Sequence, residues 1–135
     1  MIQMSDSPES MVRNFFAAWV DPKPDELGRF FHDAAVWVDG PQGVRDGADA
    51  IKSELTAQLK AVGGVTVDVK TVLSDSRTVM VEQVSNSSVC GNPISTVVMA
   101  VFELDADGRI MQWREAYDLK SVTDQIEAAG FKVSE

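Results

Sequence analysis

The sequence is poor in the residues that form disulfides and metal centres. Its 135 residues include one cysteine, Cys90, and one histidine, His32. A single cysteine forms no intramolecular disulfide, which fits a reducing compartment. One cysteine and one histidine are also too few to supply the usual nitrogen and sulfur ligands of zinc. No carboxylate cluster has metal-ligand spacing either. We therefore expect no metal and no other cofactor, a small buried Cys90 on a strand, and a structural or surface His32.

Positive charge and long apolar runs are also scarce. Lys and Arg number 12 against 21 Asp and Glu, so the formal net charge is -9 and the pI is near 4.5. Such a chain is repelled by phosphate backbones and anionic membranes, and we expect neither nucleic acid nor membrane as a partner. Neither a signal peptide nor a membrane span is visible, which makes the cytoplasm the expected compartment.

What is present is the composition of an ordinary globular protein, with 44% hydrophobic and 24% charged residues. The length suits one domain with one sizeable core. We therefore expect a single domain over residues 1–135, in which residues 1–6 form a flexible N-terminus.

Patterns in the first third of the chain predict two helices and a strand. Ser7-Pro8-Glu9 is typical of a helix start, and an apolar face follows it at helical spacing. Pro22-Lys23-Pro24 ends this helix and starts a second one, which leads to Phe30-Phe31 and leaves His32 near a helix end. Ala35–Val38 is predicted to be a short strand.

The remainder is predicted to be one helix, a long run of strands and a short final helix. Gly47 opens the third helix, and strands alternate from Val65 onwards with a hairpin at Asp105–Gly108. Ser121–Ala129 forms the last helix. This order predicts an α+β domain in which a cone-shaped, curved, mixed or antiparallel sheet wraps over three N-terminal helices.

The last strand carries the first candidate for chemistry. Side chains alternate along a strand, so an interior Trp113 and Tyr117 would bring Glu115 inside with them. A carboxyl group in an apolar pocket has a raised pKa, which suits general acid or base work near neutral pH. The residues alone leave open the opposite arrangement, with Glu115 outside and Arg114 inside, or both at a dimer surface.

Asp39 is the second candidate. It follows the apolar strand at the rim of the expected cavity, which would suit a functional residue. An Asp before Gly-Pro is also common in turns, so a functional role and a purely structural role in the turn both stay open. Large apolar side chains could line a pocket or belong to the plain core, because the open end of such a core is the pocket. The pocket candidates are Trp37, Tyr117, Val98, Phe15, Trp19 and Met99.

Two stretches carry a family resemblance. Residues 108–119 are similar to the Gly-Lys-Ile-x-x-Trp-Arg-Asp-Tyr-Phe-Asp-Leu ending of the limonene-1,2-epoxide hydrolase family, and residues 79–85 resemble its Val-x-x-Glu-Arg-x-Asp strand. That family lies within the nuclear transport factor 2-like (ketosteroid isomerase-like) superfamily. The likeness covers nearly the whole chain, and it implies this fold and a homodimer formed through the outer face of the sheet.

The resemblance also implies an activity and roles for residues. Family members hydrolyse epoxides in one step with an Asp-Arg-Asp triad, whose base falls on Glu115, whose Arg falls on Gln83 and whose acid falls on Ser85. The water-holding Tyr and Asn fall on Trp37 and Asp39. One triad position out of three thus keeps its chemistry, and Gln83 would orient a substrate oxygen or water.

A second resemblance is to the ketosteroid isomerases, whose Asp base ends an Asp-x-Ala-x-Val-x-Asp run. Residues 33–39 are similar to this run, with Trp37 at the Val position and Asp39 as the base. The oxyanion-hole Tyr of that family falls on Phe15, and its protonated Asp falls near Met99 or Ala100. Three readings therefore stay open. They are an epoxide hydrolase-like or isomerase/cyclase-like enzyme for a small apolar molecule, a non-catalytic binder of such a molecule, and a ligand-free dimerisation module.

Overall fold

The computed structural model describes residues 7–131, in which four α-helices pack on a six-stranded sheet. The expected flexibility of residues 1–6 lies outside the described residues. In chain order the elements are α1 Pro8–Ala17, α2 Pro24–Gly28, β1 Phe31–Val38, a 3₁₀ turn Gly40–Gln42, β2 Val44–Asp46, α3 Ala48–Ala61, β3 Thr66–Ser74, β4 Thr78–Val89, β5 Asn92–Leu104, β6 Ile110–Tyr117 and α4 Leu119–Ala128.

The sheet is mixed and not closed. Its strand order is β2-β1-β6-β5-β4-β3, in which β1 and β6 run parallel and every other neighbouring pair is antiparallel. The expected α+β architecture, with three N-terminal helices and a short C-terminal helix, is confirmed. Within the part of the chain that is described, no helix is long and apolar enough to cross a membrane.

The core is an aromatic cluster between α1 and the inner face of the sheet. Ser7 caps α1 by accepting a hydrogen bond from Ser10 N at 3.1 Å, and the predicted apolar face of α1 is buried. Phe15 is fully buried at its centre. Its ring centroid lies 5.3–6.1 Å from those of Phe16, Trp19, Phe30, Phe31, Phe102 and Trp113.

The second helix is shorter than the sequence predicts. It ends at Gly28, and Phe31 already belongs to β1, so that His32 lies on a strand and not near a helix end. The cause is the parallel partner strand, because Ile110 N donates to Phe30 O at 2.7 Å and Ile110 pairs with Phe31. The three-residue strand β2 also went unpredicted.

The prediction for Cys90 is wrong. Cys90 is exposed and lies with Gly91 in the two-residue turn that joins β4 to β5, where its φ is +51° and that of Gly91 is +79°. Tight hairpins favour positive φ at both central positions. The strands β4 and β5 extend further than expected, and the turn between them takes Cys90 out of the sheet.

Candidate active site

A mostly apolar cavity of about 180 Å³ opens between the inner face of the sheet, α3 and α4. An apolar cavity of about 150 Å³ is large enough to bind benzene, so a small organic molecule fits here. The apolar and aromatic walls are Trp19, Trp37, Leu55, Leu59, Val62, Val65, Ile94, Val98, Trp113, Leu119, Val122 and Ile126, and the polar walls are Asp39, Gln42, Gln58, Ser85, Ser87, Thr96, Glu115 and Tyr117.

The parallel pairing of β1 with β6 assembles the catalytic candidates. Trp37 pairs with Trp113, and their rings stack with centroids 4.4 Å apart and planes 4° from parallel. Alternation then places Glu115 on the same inner face, opposite the small side chain of Ala100 on β5. Arg114 points the other way and pairs with Glu103. The arrangement with Glu115 inside is therefore the one the fold adopts.

Glu115 lines the cavity, and one of its two carboxyl oxygens has a hydrogen-bond partner. Trp37 Nε1 donates to its Oε1 at 2.9 Å, and no other residue among 7–131 hydrogen bonds to its carboxyl group. Burial raises the pKa of Glu115 to about 8, against the lowering effect of the Trp37 N–H and with a further rise from the charge of Asp39. A carboxyl group of this kind exchanges its proton near neutral pH.

Asp39 is buried, with 1% of its surface exposed, and both of its oxygens are occupied. Tyr117 OH donates to Oδ1 at 3.1 Å, Gln58 Nε2 donates to Oδ2 at 2.9 Å, and Arg45 Nη2 lies 3.8 Å from Oδ2. Burial raises the pKa of Asp39, although these three neighbours each lower it. Asp39 also closes the predicted turn, because its carbonyl accepts from Gln42 N at 2.8 Å. It is both a turn residue and part of the cavity wall.

Tyr117 is held by the same network. Gln42 Nε2 donates to its hydroxyl at 2.6 Å, and the hydroxyl in turn donates to Asp39. Its ring packs so closely against Gly40, whose φ is +47°, that a Cβ at position 40 would come within 2.9 Å of Tyr117 Cε1. Burial raises the pKa of Tyr117, so the phenol stays protonated at neutral pH.

Gln83 and Ser85 lie on β4, on the other side of the cavity. Ser85 contributes to the wall, whereas Gln83 is fully buried behind it and donates from Nε2 to Ser85 Oγ at 3.4 Å. The carbonyl oxygen of Gln83 has no hydrogen-bond partner among the described residues. Gln83 can therefore orient the Ser85 hydroxyl, but it supplies no positive charge.

The structure brings most of the predicted site residues together, but Gln83, Phe15 and Met99 do not line the cavity. Trp19, Trp37, Val98 and Tyr117 all line the cavity, as expected. Phe15 does not, because it sits in the middle of the aromatic core. Met99 does not either, because it is 52% exposed on the outer face, one position out of phase with the inward-facing Val98 and Ala100.

The sequence did not predict the polar wall residues Gln42, Gln58, Ser87 and Thr96, nor Arg45 beside Asp39. Gln58 had a visible signal, since it lies between Leu55 and Leu59 in the apolar stripe of α3, and it bridges Asp39 and Glu54 with 2.9 Å hydrogen bonds to each. Gln42 and Arg45 carried no such signal, because a turn and a three-residue strand position them. Within residues 7–131, no group of three or more His, Cys, Asp or Glu side chains could hold a metal ion.

Comparisons with known proteins agree with this architecture. The sequence profile of the SnoaL-like domain matches residues 12–113. No curated protein matches the chain. An M. tuberculosis LEH-like epoxide hydrolase is similar in structure, with a TM-score of 0.71 and 19% identity over 90% of this chain and 90% of that chain.

Two further solved structures share the fold. A putative SnoaL-like polyketide cyclase from Jannaschia sp. CCS1 has a TM-score of 0.77 and 17% identity over 95% of this chain and 98% of that one. A hypothetical protein with a ketosteroid isomerase-like fold from Catenulispora acidiphila DSM 44928, in complex with trimethylamine, has a TM-score of 0.77 and 24% identity over 94% and 96%. At these identities the likeness shows the fold alone. The family profile spans most of the chain, and the protein therefore belongs to the SnoaL-like domain family.

Proposed function

We propose that this protein is an acid–base enzyme that acts on a small, mostly apolar molecule in the cavity, with Glu115 as the proton-transferring residue. One observation carries the proposal: Glu115 lines a mostly apolar cavity, and Trp37 Nε1 holds its carboxyl group in place through Oε1. A positioned carboxyl group whose pKa lies near 8 can act as an acid below that pH and as a base above it. Epoxide opening of the limonene-1,2-epoxide hydrolase type is the first reaction to test.

For epoxide opening, Glu115 in its carboxylate form would take a proton from water as that water attacks an epoxide carbon. The C–O bond then breaks, and the departing oxygen needs a proton. Asp39 is a poor source of it because both of its oxygens accept hydrogen bonds, and the Tyr117 hydroxyl already donates to Asp39. The donors that remain are the hydroxyl groups of Ser85, Ser87 and Thr96, and all three are weak acids.

The lack of a good acid for the departing oxygen favours a second candidate function, the non-catalytic binding of a small molecule. The observation behind it is that Gln83 and Ser85 stand where the epoxide hydrolase family has an Arg and an acid. The isomerase-like alternative based on Asp39 gains no such support. The positions that would supply its oxyanion donors are Phe15 and either Met99 or Ala100. Phe15 belongs to the core, Met99 lies outside, and the inward-facing Ala100 has no polar side chain.

Turnover of limonene oxide and styrene oxide, followed by chromatography of the diols, tests the enzyme proposal. We expect Glu115→Gln to lower kcat by at least about 100-fold, the usual contribution of a general acid or base. Glu26→Gln, which removes the same charge from the exposed surface of α2, serves as the matched control. Full activity in Glu115→Gln would exclude the proposed role, and binding of the epoxides without turnover would favour the binder.

The remaining expectations, about partners and cellular location, stay proposals. They are a homodimer formed through the outer sheet face, the absence of nucleic-acid and membrane partners, and a cytoplasmic location.

A further inference from the structure

The charges around the cavity are unbalanced. Three carboxyl groups, of Asp39, Glu54 and Glu115, stand at this end of the sheet against one guanidinium, that of Arg45. Arg45 Nη2 lies 3.8 Å from Asp39 Oδ2 and 4.0 Å from Glu54 Oε2. It is therefore shared between these two groups and leaves Glu115 without a cation.

The cavity itself holds no positive side chain to correct this. Among the described residues that line it there is no Lys, Arg or His, and the net charge of the chain is also strongly negative. Charge interactions are strong where water is excluded, so the cavity repels anions and would be stabilised by a cation that enters it.

The remaining walls suit the apolar part of such a cation. Trp19, Trp37, Trp113 and Tyr117 all line the cavity, and aromatic rings attract organic ammonium groups that reach their faces. A hydrated metal ion gains nothing from such walls, whereas an alkylammonium group buries its methyl or methylene carbons against them.

We propose that the ligand of this cavity carries a small organic ammonium group, which pairs with the free oxygen of Glu115. This inference deepens the proposed function by naming the class of molecule, and it rests on the cavity being a ligand site, although not on turnover. The two ideas fit together chemically. A bound ammonium favours the carboxylate form of Glu115, so the ligand would itself make Glu115 a base near neutral pH.

The proposal implies a proton coupled to binding. Glu115 has a pKa near 8 in the free protein, so an ammonium ligand that enters below this pH displaces the proton from the carboxyl group. The groups around Glu115 are the Trp37 N–H, Asp39 and Tyr117, with Arg45 and Glu54 behind Asp39. Since the pKa of Tyr117 is raised, it stays neutral over this range, and Glu115 dominates the pH dependence.

Choline and its neutral isostere 3,3-dimethylbutan-1-ol are the probes that test this, because they share a shape and differ in charge at every pH used. Binding is measured by isothermal titration calorimetry or by protein NMR from pH 6 to pH 9. We expect choline to bind more tightly than the alcohol at pH 9. Its affinity should rise by about tenfold per pH unit up to about pH 8, while that of the alcohol should not.

Two variants test whether Glu115 is the group that makes choline bind more tightly than the alcohol. Glu115→Gln should weaken choline binding at pH 9 by at least about tenfold and leave the alcohol within about twofold, which also reports a folded cavity. Glu26→Gln, an isosteric loss of the same charge on the surface, should leave both ligands unchanged.

Each outcome decides a different point. If the alcohol binds at least as tightly as choline at pH 9, the ammonium proposal is wrong, although the proposed function survives. If neither probe binds, both the ammonium proposal and the cavity as a site for such molecules are contradicted.

Discussion

For Glu115, the sequence predicts that the side chain points inward, but it does not predict which residues surround the carboxyl group. Alternation with Trp113 and Tyr117 was enough to predict an inward carboxyl group. The stacked Trp37, the hydrogen bond that it donates and the small Ala100 opposite depend on strand pairing. These neighbours surround much of the carboxyl group, and its burial raises its pKa.

The raised pKa of Glu115 predicts a pH dependence of stability. The ordinary value of 4.5 rises to about 8 in the folded protein, so the folded state holds this proton more tightly than the unfolded chain does. Below about pH 4.5 the group is protonated in both states and has no effect. Between about pH 4.5 and pH 8 the free energy of unfolding falls as the pH rises, and above about pH 8 the loss is complete.

Urea unfolding at pH 5, 7 and 9 measures this loss. Relative to Glu115→Gln, the wild type should lose about 4 kcal/mol of unfolding free energy between pH 5 and pH 9, since one pKa unit corresponds to about 1.4 kcal/mol. The Glu26→Gln control should follow the wild-type curve. Parallel pH curves for the wild type and Glu115→Gln would show that burial does not shift this group.

At the scale of elements, α4 is the least anchored wall of the cavity. None of its residues is fully buried, yet Leu119, Val122 and Ile126 face the cavity. A twin hydrogen bond ties the helix to β5: Gln125 Nε2 donates to Ser95 O and Ser95 N donates to Gln125 Oε1, each at 2.9 Å. Because only a small apolar contact and the two hydrogen bonds of Gln125 hold it, this helix has low local stability.

Loss of the two hydrogen bonds between Gln125 and Ser95 should therefore destabilise α4 alone. In Gln125→Ala we expect amide hydrogen exchange across α4 to accelerate by about tenfold, the equivalent of two exposed hydrogen bonds. The Ser95 amide should also exchange faster because it loses its acceptor, while the rest of β5 and β6 should not change. Lys120→Ala is the matched control, because Lys120 pairs only with Asp124 of the same helix. Equal exchange rates in α4 for wild type and Gln125→Ala would show that the apolar contacts alone hold the helix.

At the scale of the whole molecule, the outer face of the sheet is unusually apolar. Leu73, Met80, Val97 and Met99 are 52–69% exposed, and Leu73 pairs directly with Met80 across β3 and β4. Contiguous exposed apolar surface marks interaction sites in soluble proteins. This surface supports the proposed homodimer, whose interface would cover it.

Sedimentation equilibrium tests the dimer. We expect the wild type to have twice the mass of the chain and Met99→Lys to shift towards the monomer, because the transfer of a charge from water into an apolar interface is costly. Val20→Lys is the control, since Val20 is 56% exposed after the end of α1 and away from the sheet face. A monomeric wild type, or a Met99→Lys variant that stays dimeric, would contradict an interface centred on Met99.

The sequence by itself determined the order of the main elements, the face of α1 that is buried and the inward side of the last strand. These features follow from local rules: caps, helical spacing and strand alternation act within a few residues of each other. The same alternation holds along β5, where Val98 faces inward and Met99 faces outward.

Only the tertiary structure decided what surrounds each candidate. The parallel pairing of β1 with β6 ends α2 early and stacks Trp37 on Trp113. Asp39 receives its partners from three different elements, β2, α3 and β6, and the charge balance around the cavity depends on where Arg45 points. Long-range pairing has no local signal, because the residues concerned are up to 78 positions apart and meet only when the sheet forms.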